Sequence, residues 1–413
     1  MEPSSGRINE IIALLKTQHK TNDLQKIPSK AKLNILCSSI ELTPGQLDRI
    51  IALNSPVLRT IKGHVFETIF DYLLKENGVS VTLAGGDTGI DRIVNKHTLQ
   101  LKTPTISGTN NTFVQYKTHK THGAKSETES LSYYHTVDDF ADFLVGLVTY
   151  SPLQILVINK KELPTHKKDS KYIVSPFSLD FSKHPGLNKF ERIGINKATF
   201  SINKYLPGTN EDLPLSAKTL GVTSNIIFDT ILSEENFRIW DMAIRGFARE
   251  VSLHDFLQQQ SVKMYPPSQA HRARSNKADF CLQSITPREY ALFQIKGATF
   301  NLCKFNKSAS TIATETQLTR GRVNDHPTQS RLYLKTDFDY LMLCVDPQLS
   351  RRFKEELGET PKTAWEYFVI PTAVLTCHKK YSNRLNSIQY FLYKDIQQYS
   401  VSPSWLSQWE KES

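Results

Sequence analysis

An α/β chain of two tandem domains of one design, each a mixed central sheet flanked by helices, is the fold the sequence predicts. Helix-period segments run directly into strand-period segments, and one ordered set of polar residues occurs in both halves. The chain has 413 residues with 39% hydrophobic content, enough for two ordinary cores.

Opening helices are expected at 29–40 ("SKAKLNILCSSI") and 43–54 ("TPGQLDRIIALN"). Apolar Val65, Ile69, Tyr72 and Leu73 then recur at helical spacing, and the pattern stops near Asn77-Gly78. "VSVTLA" follows as a strand. "DRIV", a turn at "NKHT" and "LQLKT" read as a hairpin, whose second strand sends Leu99 and Leu101 one way and Gln100 and Lys102 the other.

In the second half "RGFAREVSLHDFLQQQSVKMY" precedes "NKADFCLQSITPREYALFQIKGAT". Gly246, Glu250, Asp279, Gln294 and Lys296 there follow the order of Gly63, Glu67, Asp91, Gln100 and Lys102. Leu74 and Leu257 fall at matching places after the glutamates, as do Val79 and Val262; the hairpin loop differs in length. Further on, "VDDFADFLVGLV" has a counterpart in "KTDFDYLMLCV", and "SKYIVSPFSL" is expected to match "WEYFVIPTAVL".

The two aspartates are 188 positions apart (279 − 91), too long a period for a solenoid and suited to a duplicated domain. The Pro- and Gly-rich stretch "NKYLPGTNEDLPLSAKT" sets the expected division: a first domain with an N-terminal helical extension at 1–207, and a second at 208–413 that opens with helices in "NIIFDTILSEENFRIWDMAIRG".

Composition narrows the function classes. No apolar run approaches the roughly 20 residues of a membrane span, and the N-terminus lacks an apolar signal segment, so a soluble, cytoplasmic protein without a membrane partner is expected. Five scattered cysteines, none in a CxxC, argue against a disulfide framework and a structural zinc. Fifty-one Lys and Arg against 41 Asp and Glu leave a formal charge of +10, which favours a polyanionic partner. No GxxxxGK[ST] occurs, so no nucleotide cofactor is expected.

A glutamate on a helix, an aspartate opening a strand and a (D/E/Q)xK pair on the next strand resemble the PD-(D/E)xK nuclease superfamily, which includes type II restriction endonucleases. "GGDTGID" followed by "LQLKT" looks most like its Mrr-like branch, where glutamine replaces the acidic residue. The first copy carries the resemblance over Lys62 to Thr103; the second matches more loosely and lacks the glycine-rich approach. The resemblance implies two restriction-endonuclease-like domains in one chain. It also implies hydrolysis of double-stranded DNA with Mg²⁺, at catalytic residues Glu67, Asp91, Gln100, Lys102, Glu250, Asp279, Gln294 and Lys296. Such an enzyme would work as a monomeric pseudo-dimer with one active site per strand, be sequence-specific or modification-dependent, and be accompanied by a cognate methyltransferase.

The chemistry fits those residue types. Phosphodiester hydrolysis needs an activated water and a stabilised pentavalent transition state, and hydrated Mg²⁺ serves both needs with few protein oxygens. Asp91 with the Gln100 amide oxygen, and Asp279 with that of Gln294, are the expected metal ligands. Glu67 would assist from its helix, and Lys102 would orient the water or neutralise phosphate charge. Because glutamine is neutral, metal and DNA are expected to bind cooperatively.

Plainer readings stand beside these. A half-exposed strand shows alternating polar residues without any active site, and the second copy could be a degenerate DNA-binding or packing domain. Asp87 reads as a turn residue among Gly85, Gly86 and Gly89. His119 and His122 read as parts of a basic loop. Lys117, Lys120 and Lys125 are expected to hold phosphates, and Arg320, Arg322 and Arg331 to read guanine edges. A repair or recombination nuclease that recognises DNA shape, and a silent DNA-binding protein of this fold, are the competing functions.

Overall fold

The structure is a computed structural model that describes residues 4–40, 42–84, 89–104, 106–107, 112–118, 134–195, 202–208, 214–273, 275–306, 309–317, 332–360 and 364–412. It is mixed α/β. Helices α1 Ser4–Gln18, α2 Ser29–Ile40, α3 Pro44–Leu53 and α4 Ser55–Glu76 precede strands β1 Val81–Leu83, β2 Arg92–Val94, β3 His97–Lys102, β4 Ile106–Ser107, β5 Phe113–Tyr116, β6 Phe143–Tyr150 and β7 Leu153–Asn159. Then come β8 Thr165–His166, β9 Asp169–Ile173, β10 Phe177–Asp180, α5 Leu215–Leu220, α6 Ser224–Ile231 and α7 Glu234–Gln259. The remainder is β11 Met264–Tyr265, β12 Phe280–Gln283, β13 Tyr290–Gly297, β14 Thr311–Glu315, β15 Tyr340–Val345, α8 Pro347–Leu357, β16 Glu366–Pro371, β17 Ile388–Leu392, α9 Tyr393–Ile396 and α10 Pro403–Leu406.

The chain forms two compact units, Met1–Leu36 with Asp48–Asp241, and Cys37–Leu47 with Met242–Ser413. The expected boundary at 207/208 falls inside the range of the first unit, because α6 turns back onto α4 through a Thr230–Thr68 hydroxyl contact at 3.0 Å. A Pro- and Gly-rich stretch marks where the chain bends, not which body the next helix joins.

Each unit holds one five-stranded mixed sheet, and the two have the same design. The first runs β1-β2-β3-β6-β7 and the second β11-β12-β13-β15-β16. In each, the central pair (β3 with β6, β13 with β15) is parallel and every other pair antiparallel. Gln100 lies beside Leu144 and Lys102 beside Gly146; Gln294 lies beside Leu341 and Lys296 beside Leu343. A smaller layer is also shared: β5 pairs with β10, and β14 with β17, both antiparallel.

The expected match of "SKYIVSPFSL" to "WEYFVIPTAVL" is corrected by this topology. The second segment is β16 of the five-stranded sheet, and the strand in its place in the first unit is β7, not β9 or β10. Alternating apolar residues before a proline specify a strand but not its neighbour.

Local signals explain the elements around the hairpin. Asn54 caps α4 by accepting the Val57 N–H, and the helix stops at Asn77 before Gly78, whose φ of +70° is the left-handed stop. Asn95 and Lys96 both take positive φ, the primed turn that lets two strands meet across two residues. On α4, Phe66, Phe70 and Leu74 pack with Val94, Leu99, Leu101, Val145 and Val157. In the second unit Leu253 and Leu257 of α7 pack with Phe280, Leu282, Phe293 and Ile295. No helix among the described residues is long and apolar enough to cross a membrane.

Candidate functional site

The two hairpins are built by the same hydrogen bonds. Asp91 donates its N–H to the Leu99 carbonyl at 2.8 Å, and its Oδ2 accepts the Leu101 N–H at 2.7 Å. Asp279 repeats both contacts with Phe293 and Ile295, at 2.8 and 2.7 Å. Each aspartate therefore bonds the residue before its QxK through its N–H and the residue between the Gln and Lys through one carboxylate oxygen. Below the hairpin, Asp142 and Asp339 also correspond, accepting the N–H of Thr98 at 3.0 Å and of Leu292 at 2.8 Å.

In the first unit Lys102 Nζ stands 3.9 Å from Asp91 Oδ2. Glu67 is drawn to Arg92, whose Nη2 is 3.5 Å from Glu67 Oε2. Arg92 is buried; its Nε reaches Asp71 at 3.0 Å and its Nη1 donates to the Asp91 carbonyl at 2.9 Å. Sequence reasoning passed over Arg92, although an arginine directly after the strand aspartate was a visible signal. His64, one turn before Glu67, is held neutral: burial, helped by Arg92 and opposed by Asp91, brings its pKa down to about 4.

In the second unit the same residue types are drawn tighter. Gln294 Nε2 donates to Asp279 Oδ2 at 2.5 Å, and Lys296 Nζ lies 5.3 Å above the Tyr333 ring. Glu250 and Asp279 are open to solvent although protein atoms crowd around them. That crowding, with Asp279 as a like charge, pushes the Glu250 carboxyl up to about 7. Asp279 is also raised, by burial, against the Ile295 N–H and the Lys296 charge. Lys296 is lowered by burial, with Arg249 adding to the effect and Asp279, Glu250 and Glu315 opposing it. Glu250, Asp279 and Lys296 therefore feel one another's charge.

Both glutamines are buried, at 3% exposure for Gln100 and 4% for Gln294, which removes the reading of a solvated strand face. In both, Oε1 finds no hydrogen-bond partner among the described residues. A buried carbonyl oxygen without a donor costs about 1–3 kcal/mol, and the same orphan recurs at the corresponding glutamine of both halves. An oxygen-seeking divalent cation fits such a donor. No group of three His, Cys, Asp or Glu side chains gathers among the described residues, so an ion here would rest on one carboxylate and one amide.

Lys117 is exposed on the chain just after β5. Asp87, His119, His122, Lys120, Lys125, Arg320, Arg322 and Arg331 lie outside the described residues. A cavity of about 320 Å³ lined by Lys335, Phe338, Asp339, Tyr340, Pro371 and Thr372 includes none of the expected site residues.

No protein-family model matches the chain, and neither a curated protein nor a solved structure does.

Proposed function

We propose that the chain is a Mg²⁺-dependent endonuclease of the PD-(D/E)xK kind that hydrolyses double-stranded DNA. Its two restriction-endonuclease-like units would act as a monomeric pseudo-dimer, one active site per strand, in a sequence-specific or modification-dependent restriction enzyme. The observation that carries this reading is the doubled arrangement of an aspartate bound to the N–H inside a QxK whose glutamine buries a partnerless oxygen.

Asp91 with Gln100, and Asp279 with Gln294, would hold the ion. When bound, Mg²⁺ supplies a water of lowered pKa and charge for the phosphate oxygens. The chain's own residues supply the rest. Each aspartate keeps one oxygen on the backbone, which fixes where the other points. Lys102 and Lys296 place positive charge near those aspartates, where it can orient a water and offset charge building on a phosphate. In the second unit the Gln294 amide donor faces Asp279, and a half-turn of the carboxamide would present the oxygen instead.

Lys102→Ala tests the reading on supercoiled plasmid with Mg²⁺. The wild-type chain should linearise plasmid, and the variant should stop at nicked circle while still binding DNA. Failure of the wild-type chain to cut methylated or unmethylated plasmids, or branched DNA, would remove the nuclease reading.

A further inference from the structure

The site residues repeat in both units, but the arginine beside them does not. Asp91 and Asp279 correspond, so Arg92 of the first unit stands where the second has Phe280. Glu67 and Glu250 correspond through the shared Gly-to-Glu spacing, so Phe66 stands where the second unit has Arg249. The exchange is reciprocal: arginine on the strand and phenylalanine on the helix in one unit, the reverse in the other. Phe66 and Phe280 are both buried, at 1% and 3% exposure, so each packs as core where the other unit keeps its cation.

Each guanidinium has a cradle of its own. Arg92 is gripped by Asp71, Glu67 and the Asp91 carbonyl, whereas the Asp71 position in the second unit is the exposed His254. Arg249 lies flat on Gly297, the residue after Lys296: a Cβ there would come within 2.6 Å of Arg249 Nη1. The first unit, with no arginine on its helix at this point, has Thr103 in the Gly297 position. Four positions thus change together, and each unit keeps one arginine whose charge reaches its helix glutamate and strand aspartate.

We infer that Arg92, which grips Asp71 and Glu67, and Arg249, held by the Arg245 carbonyl over Gly297, are equivalent built-in counter-ions that oppose a divalent cation until a phosphate arrives. This rests on the nuclease reading only for the identity of the phosphate; the charge balance is a property of the free protein. A fixed positive charge a few ångströms from a dication's seat weakens its binding by well over tenfold even at an effective dielectric near 20, less after screening by salt.

The test is Mn²⁺ titration of the DNA-free chain, free ion read by EPR, for wild type, Arg92→Gln, Arg249→Gln and Arg92→Lys, with circular dichroism melts to verify folding. Each glutamine variant should bind one Mn²⁺ roughly tenfold or more tighter than wild type, while Arg92→Lys, which keeps the charge, should bind as wild type does. A merely structural arginine would give the opposite, weaker binding on removal. Unchanged or weaker Mn²⁺ affinity in folded Arg249→Gln overturns the inference even if Arg92→Gln fails to fold. Adding a duplex 30-mer separates the two readings. If the glutamine variants gain Mn²⁺ affinity but wild type cuts no DNA, the counter-ions stand and the nuclease falls. If wild type cuts and the variants gain nothing, the reverse holds.

Discussion

Asp91 Oδ2 accepts the backbone N–H of Leu101 at 2.7 Å, so this carboxylate serves both as a strand fastener and as a candidate ligand. Replacing it separates the roles. Asp91→Ala should cost about 1–2 kcal/mol in urea unfolding, because the Leu101 N–H loses its acceptor, and should abolish one strand's cleavage. Asp91→Asn retains an oxygen acceptor and should unfold within about 1 kcal/mol of wild type while cutting no better than the alanine variant. Equal stability of all three proteins would show that the hydrogen bond contributes nothing.

His64 gives the first unit an acid sensitivity. Burial, then the Arg92 charge, depresses its pKa to about 4 against an ordinary value of 6.5, with Asp91 opposing. The unfolded chain then binds a proton between those values that the folded chain refuses, so stability is full above pH 6.5 and falls as pH drops toward 4. His64→Gln should remove about 1–3 kcal/mol of the loss between pH 7 and pH 4.5 in urea melts. Parallel pH profiles for the two proteins would refute this.

Glu250 works in the other direction. Its carboxyl is pushed up to about 7 by burial and then by Asp279, so the folded chain holds a proton that the unfolded chain has already released. Stability therefore falls as pH rises from about 4.5 through 7. Water at its open face screens the repulsion, so the expected effect is small. In EDTA, Glu250→Gln should melt about 1–2 °C above wild type at pH 8.5 and with it at pH 4.5. A variant that melts lower at pH 8.5 would sink the prediction.

Lys32 and Asp229 form a buried pair at 2.5 Å, with Asn225 at 2.6 Å and the Tyr72 hydroxyl at 3.3 Å completing their bonds. Burial lowers Lys32 and raises Asp229, each against the pull of its partner. Lys32→Met alone should cost about 3–5 kcal/mol by stranding the carboxylate, and adding Asp229→Leu should recover much of it. Additive losses in the double variant would refute the coupling.

Much of this was legible in the sequence because it depends on short-range periods. The helix expected at 29–40 forms there as α2, α4 stops at the Asn77-Gly78 signal, and the hairpin turns at Asn95-Lys96. The order Glu, Asp, Gln, Lys could be read twice because side-chain type survives where hairpin length does not. Tertiary structure decided the rest. Which strand stands beside β6 or β15, and which body α5 and α6 join, depends on long-range pairing that period-2 and period-3.6 patterns do not encode. That Gln100 and Gln294 bury an unsatisfied oxygen, and that Arg92 grips Asp71 while Arg249 lies against Gly297, is decided by the tertiary structure. A side chain's charge is written in its identity, but its desolvation and its partner are set by residues far away in the chain.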